Sequence, residues 1–231
     1  YKRQDIILSR NFRKLGMIPV YFPCKDFLVK KILTISLLSL IFALNAHSES
    51  YRYGSLGITK NVADNPHDIG GFTYGDADSD DEGSVISYGF GTRSGNLALE
   101  TEFSYYGEVT QKLERRISVD VTTFSIMENI MYTSEFGSNG YILAGLGLGL
   151  GHTIVDTNSR FSGDPFDKDN DNTDFAHQII LGYGMENYEI VFKQSEFGIV
   201  KGGSGTTPAG GRYNPDMFDN KIKSISLRYK F

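Results

Sequence analysis

The sequence has one cysteine, Cys24, and no tryptophan, and its only sustained apolar run lies near the N-terminus. A lone cysteine excludes an intramolecular disulfide. Because Cys24 precedes the apolar run instead of following it, lipid anchoring at that residue is not expected either. Beyond residue 51 no segment carries apolar residues at a helical period over eleven residues, so helical bundles and doubly wound folds are excluded. Hydrophobic residues still make up 40% of the chain, spread as alternating singles.

The apolar run reads ILTISLLSLIFALNA, Ile32 to Ala46, behind Lys30 and Lys31, with the small residues Ala46 and Ser48 at its end. Two lysines, about fifteen mostly apolar residues and a small-residue cleavage site form an export leader over 29–48. The run is shorter than the ~20 residues a spanning helix needs. Residues 1–28, which open on Tyr1 and are basic and without period, are expected to lie outside the mature protein, leaving 49–231 as one domain. The first 48 residues hold eight of the 23 Lys and Arg and two of the 28 Asp and Glu. That leaves 15 against 26, a net charge of −11. Such a surface disfavours nucleic acid as a partner, since phosphate recognition needs cations.

Period-two alternation rich in aromatic and β-branched residues predicts strands over 51–63, 84–93, 97–107, 117–133, 140–157, 173–186, 188–200 and 221–231. The connections run long, minimal, medium, short, long, minimal, long. This is the sorting of a barrel with tight turns at one end and extended loops at the other. In LALETEFSYYG, Leu97, Leu99, Phe103 and Tyr105 share one face while Glu100 and Glu102 share the other. Tyr188, Ile190 and Phe192 similarly oppose Glu189 and Lys193, and Ile225, Leu227, Tyr229 and Phe231 oppose Arg228 and Lys230. A soluble core cannot hold so many mid-strand charges cheaply. The alternation therefore predicts an all-β, eight-stranded, antiparallel up-and-down transmembrane β-barrel with its apolar face to lipid and a polar lumen. Arg93, Glu100, Glu102, Glu189, Lys193, Arg228 and Lys230 are the candidate lumen charge network.

Two features need separate treatment. Gly145, Gly147, Gly149 and Gly151 alternate with Leu146, Leu148 and Leu150, and no Lys-Ser/Thr or helix follows, so the ladder is a strand and not a phosphate loop. Its glycines are expected to face inward, leaving room for large side chains from across the barrel. Glu128 fits neither face of its strand.

With the strands placed, the chain resembles the eight-stranded outer-membrane barrels that include the OmpA transmembrane domain, OmpX and the neisserial opacity proteins. The resemblance rests on the terminal row Leu227, Tyr229 and Phe231, on LALETEFSYYG and NGYILAGLGLGLG as third and fifth strands, and on the leader. It implies a bacterial outer-membrane location, with lipid and lipopolysaccharide as surroundings. It also implies recognition of Phe231, Tyr229 and Leu227 by the barrel-assembly machinery. No wall-binding domain follows the barrel segment, so the anchoring role of full-length OmpA is not implied.

The loops carry DADSDDEG and DPFDKDNDNTD, whose Asp76, Asp78 and Asp80, and Asp167, Asp169 and Asp171, alternate as oxygen ligands of calcium can. The twelfth positions are Ser87 and Gln178 where an EF-hand has glutamate, so a solvated acidic loop is the competing reading. His67, His152 and His177 lack the serine that a lipid A deacylase motif places two residues on, and no enzyme is expected. The expectation is a monomeric barrel without a resident cofactor, meeting a host or other cell-surface ligand through long acidic loops. A narrow channel for ions or small solutes is the alternative, and a lipid-modifying enzyme the weaker one.

Overall fold

A computed structural model describes residues 49–64, 82–113, 117–137, 139–159, 170–202 and 216–231. The extension 1–28, the leader 29–48, His67 and the acidic positions Asp76, Asp78, Asp80, Asp167 and Asp169 lie outside the described residues. The elements are β1 (Glu49–Asp64), β2 (Glu82–Ser94), β3 (Leu97–Leu113), β4 (Ile117–Phe136), β5 (Gly140–Ser159), β6 (Asn170–Met185), β7 (Tyr188–Lys201) and β8 (Asp216–Lys230). Among the described residues these eight strands close in sequence order into one antiparallel barrel, with β8 pairing back onto β1. At the seam, Arg52 N–H donates to the Phe231 carbonyl at 3.2 Å and Phe231 N–H to the Arg52 carbonyl at 3.0 Å.

The register gives the barrel its geometry. From Phe231 the paired row runs through Arg52, Phe90, Thr101, Glu128, Leu148, His177 and Glu196 to Lys221, ten residues short of Phe231 on the same strand. Eight strands with a shear of ten tilt by about 40°, so each step along the row climbs about 3 Å and each residue along a strand about 2.5 Å. The tight turns, at Gly95–Asn96 and Glu186–Asn187, sit at the end that carries Phe231; Glu186 takes a φ of 53° in its turn. Lys60, Lys223, His177 and Glu196, on β1, β8, β6 and β7, form half of a polar ring about 20 Å above that end. Between the turns and the ring most outward residues are apolar and exposed, among them Leu56 and Ile58 on β1, Ile126 and Ile130 on β4, Leu146 and Leu148 on β5, Ile225 and Leu227 on β8. Tyrosines and phenylalanines crowd the two edges, with Tyr132, Tyr183, Tyr188, Tyr229 and Phe231 below, Tyr105, Phe124 and Phe175 above. An outward apolar band near 25 Å tall with aromatic girdles is the surface of a bilayer-spanning barrel.

Beyond the ring the wall continues, and here the strands outrun their sequence-based bounds. β3 was expected to stop at Gly107, where the alternation breaks. Instead, a bulge at Gly107–Glu108 shifts the register between Tyr106 and Val109, so that both Tyr106 and Val109 face inward. A bulge admits one extra residue and restarts the alternation in opposite phase. β7 bulges likewise at Gly198, whose φ of +81° is strained for any residue with a Cβ. β8 begins five residues before its expected start, because Asp216 and Asp219 sit above the apolar band, where a strand can turn acids toward water.

The lumen, expected to be polar, also holds apolar layers. Ala98, Met131, Leu143, Ile180 and Val191 form an apolar cluster at the turn end. Val85, Tyr106, Met127, Ala176, Phe197 and Ile222 form a second higher up. Val109, Val119, Val121, Val155, Val200, Met217 and Phe218 form a third, above the polar ring. In a barrel this narrow, inward side chains from facing walls touch, so the interior packs as a core wherever charges are not paired. The glycine ladder faces inward, and the room it leaves is taken mostly by the adjacent strands, with Phe197 of β7 reaching over Gly151. Met131 and Met127 of β4 lean over Gly145 and Gly149, and Asn129 and Gln178 close over Gly147.

Candidate functional site: the charged lumen and its two ends

Arg228 projects inward from β8 near the closing seam, completely buried. Its Nη1 donates to both carboxylate oxygens of Glu100, at 3.0 and 3.1 Å, and to Glu189 Oε2 at 3.2 Å. Nη2 reaches Glu102 Oε2 at 3.3 Å, and the guanidinium lies 3.8 Å from the ring centroid of Tyr53. Lys193 Nζ donates to Glu102 Oε1 at 2.6 Å, and Lys230 pairs with Glu189. Three carboxylates thus meet three cations on β3, β7 and β8, and the cluster is neutral. A planar fork of N–H donors is what allows one arginine to serve three carboxylates.

Three tyrosines complete it, none of which the sequence reading singled out. Tyr51 OH donates to Glu100 at 2.6 Å, Tyr53 OH to Glu102 at 2.9 Å and Tyr141 OH to Glu189 at 2.6 Å. The signal was present: Tyr51 and Tyr53 share the phase of Ser55, Gly57 and Thr59 in the first strand. Tyr53 fits because Gly89 lies beneath its ring, where even a methyl group would clash. Gly89 is therefore inward and small so that an aromatic from the neighbouring strand can cross it.

Arg93, grouped by sequence with these charges, stands apart at the turn end. It donates to the Gly95 carbonyl at 3.2 Å and to the Thr133 hydroxyl, and lies 5.3 Å from the Tyr141 ring centroid. With Glu49, Asn96, Glu135 and Tyr141 it lines an open funnel of about 510 Å³. Above the charged cluster, polar pairs separate the apolar layers. Gln178 donates to Asn129 at 2.7 Å, and Asn220 donates to Thr123 and Thr153 at 3.1 and 3.2 Å.

On the outside, Leu227, Tyr229 and Phe231 form one row. Tyr229 lies 5.1 Å from Tyr188 and 6.3 Å from Phe231 between ring centroids. Asp171, expected in the second acidic loop, is on β6, paired with Ile154, with its carboxylate 3.9 Å from His152 Nε2. His177 lies 3.4 Å from Glu196 on the outer ring. Among the described residues no three His, Cys, Asp or Glu side chains converge as a metal set. Glu128, which alternation left unplaced, faces outward from the middle of β4 and accepts a hydrogen bond from Thr101 at 2.9 Å.

A closed antiparallel barrel of eight strands, apolar outside and packed inside, defines the class: this is the fold of the eight-stranded outer-membrane β-barrels. Among solved structures the chain is similar to neisserial surface protein A, NspA, with a TM-score of 0.50 and 16% identity over 80% of this chain and 99% of that one. It is also similar to Ail, the attachment invasion locus protein of Yersinia pestis, in complex with the heparin analogue sucrose octasulfate, with a TM-score of 0.49 and 12% identity over 79% and 99%. At these identities the likeness is one of fold. No family model and no curated protein matches the sequence.

Proposed function

We propose that the protein is a structural barrel of the bacterial outer membrane that contacts its surroundings through the acidic segments 65–81 and 160–169, which join strands at the end away from the tight turns. The observation that carries this reading is the division of the molecule. The apolar band is matched to a bilayer and the lumen is filled by a neutral charge cluster and three apolar layers. Recognition is thereby left to the outer end, and the acid alternation of Asp76, Asp78, Asp80, Asp167 and Asp169 suits a hard divalent cation such as calcium, bridging to an anionic surface such as lipopolysaccharide.

The test is to trim the loops without cutting the wall. Glu82 pairs with Lys60 and Asp171 with Ile154, so the deletions are confined to 76–81 and 167–169. The trimmed barrel is expected to keep its heat-dependent gel shift while losing calcium binding by calorimetry and calcium-dependent attachment to lipopolysaccharide vesicles. Survival of both activities in the double deletion would sink the loop reading.

One observation favours the narrow-channel alternative. The hydroxyls of Ser55, Ser224 and Ser226 are buried on β1 and β8 without a protein partner, and such groups are usually met by internal water. That polar strip is bounded by the Arg228 cluster below and by Val121, Val155 and Phe218 above. Purified barrel in planar bilayers is therefore expected to be electrically silent. Discrete single-channel steps from the intact protein would favour the channel instead.

A further inference from the structure

We infer that two copies of this chain associate side by side in the membrane through the β3–β4 face, with Glu128 and Thr101 of each at the contact. The inference rests on insertion into a bilayer and is independent of what the loops bind.

The residues that carry it sit at the centre of the apolar band. On β4 the outward positions read Phe124, Ile126, Glu128, Ile130, Tyr132; on β3 they read Leu97, Leu99, Thr101, Phe103, Tyr105. Thr101 and Glu128 are direct cross-strand partners, and Leu148 stands opposite Glu128 on β5. Glu128 lies four row steps above Phe231, about 12 Å by the barrel's shear, which is halfway up the band. The Thr101 hydroxyl occupies one carboxyl position at 2.9 Å, and the rest of the group faces outward. Hydrocarbon offers it nothing, and a polar group at that depth is costly enough that a partner is the ordinary reason for keeping one.

Glu128 itself identifies the partner. Among the described residues no outward Lys or Arg lies within the band between Arg52 at its foot and Lys60 and Lys223 at its rim, so one copy cannot offer a cation to another at this depth. Copies exported through the same route share one orientation, so Glu128 of any neighbour stands at the same height. A two-fold axis along the membrane normal therefore sets Glu128 and Thr101 against themselves, a self-complementary contact of carboxyl and hydroxyl. Two carboxyl groups meeting there share protons as carboxyl dyads do. Leu99, Phe103, Ile126 and Ile130 supply the apolar surround.

The experiment uses single cysteines in the full chain with Cys24→Ser, so that each added thiol is the only one. Ile130→Cys reports on the proposed face; Ile225→Cys, also outward in the apolar band but on β8 at the far side of the barrel, reports on random collision. Bis-maleimide treatment of outer membranes is expected to yield a product of twice the monomer mass from Ile130→Cys and little from Ile225→Cys. Adding Glu128→Leu to Ile130→Cys should lower that yield about three- to fifteenfold, the range that polar contacts inside bilayers contribute. Glu128→Gln, which still donates and accepts, should retain most of it. Energy transfer between labelled copies in liposomes gives the same comparison without cross-linker. Equal yields at both positions, a product of another mass, or a dimer indifferent to Glu128→Leu would each overturn the proposal. The heat-dependent gel shift of every variant separates these outcomes from failure to insert.

Discussion

Replacing Arg228 with methionine is expected to lower the stability of the folded barrel by about 3–5 kcal/mol, the usual loss when one member of a buried ion network is removed. The guanidinium makes hydrogen bonds to Glu100, Glu102 and Glu189, and stacks on Tyr53. Without it, three carboxylates face only Lys193 and Lys230, inside a lumen where Arg228, Lys193 and Glu102 are all at most 1% exposed. The excess negative charge has no solvent to spread into. Urea unfolding in detergent micelles, followed by the gel shift, measures the change. The paired variant Arg228→Met with Glu100→Gln restores neutrality and should recover part of the loss. Equal stability of the single variant and the parent would mean that water reaches the cluster freely, and the filled-lumen reading would fail with it.

The second large effect is expected at the seam. Changing Tyr229 and Phe231 together to alanine removes the ring contacts Tyr188–Tyr229 and Tyr229–Phe231. Each such contact contributes about 0.5–1.5 kcal/mol. The pair therefore changes the ratio of closed to open barrel by roughly five- to a hundredfold, at 1.4 kcal/mol per decade. These residues border the β8–β1 joint, where Phe231 and Arg52 exchange backbone hydrogen bonds. A barrel open at that joint leaves unpaired strand edges in hydrocarbon, so the weakness appears first as lost assembly. We propose that the same row is what the assembly machinery reads. The share of protein in the outer-membrane fraction that shows the gel shift should fall accordingly. A matching loss from Leu56→Ala with Ile58→Ala, on the same joint but outside the row, would show that the effect is general to the seam and not specific to the row.

Much of this architecture was legible because a strand's two faces are written at period two. The outward rows on β3, β7 and β8, and the inward glycines of β5, follow from spacing alone. Three things were not legible. The break at Gly107–Glu108 looks like the end of a strand, since a bulge and a loop disturb alternation identically in one dimension. The charge cluster joins residues as far apart in sequence as Glu100 and Arg228, so the face of each charge could be read but not its partner. That is also why Arg93, on the inward face like the others, was grouped with a cluster that it meets only at the Tyr141 ring. The apolar inward residues of β4 to β6, among them Met127, Met131, Leu143 and Ile180, alternate along the inward face with polar residues and glycines and meet only when the wall curves.

The wall above the polar ring has a consequence for whatever the protein touches. Val119 and Val155 lie nine residues beyond Glu128 and seven beyond Leu148 along their strands, which puts them well over 10 Å higher than the ring at the barrel's tilt. They are buried there among valines, Met217 and Phe218. The acidic segments 65–81 and 160–169 therefore join a wall that is packed inside and stands clear of the lipid headgroups. A partner can grip that rim without deforming the bilayer, and the loops can change sequence at its top without loosening the wall that holds them up.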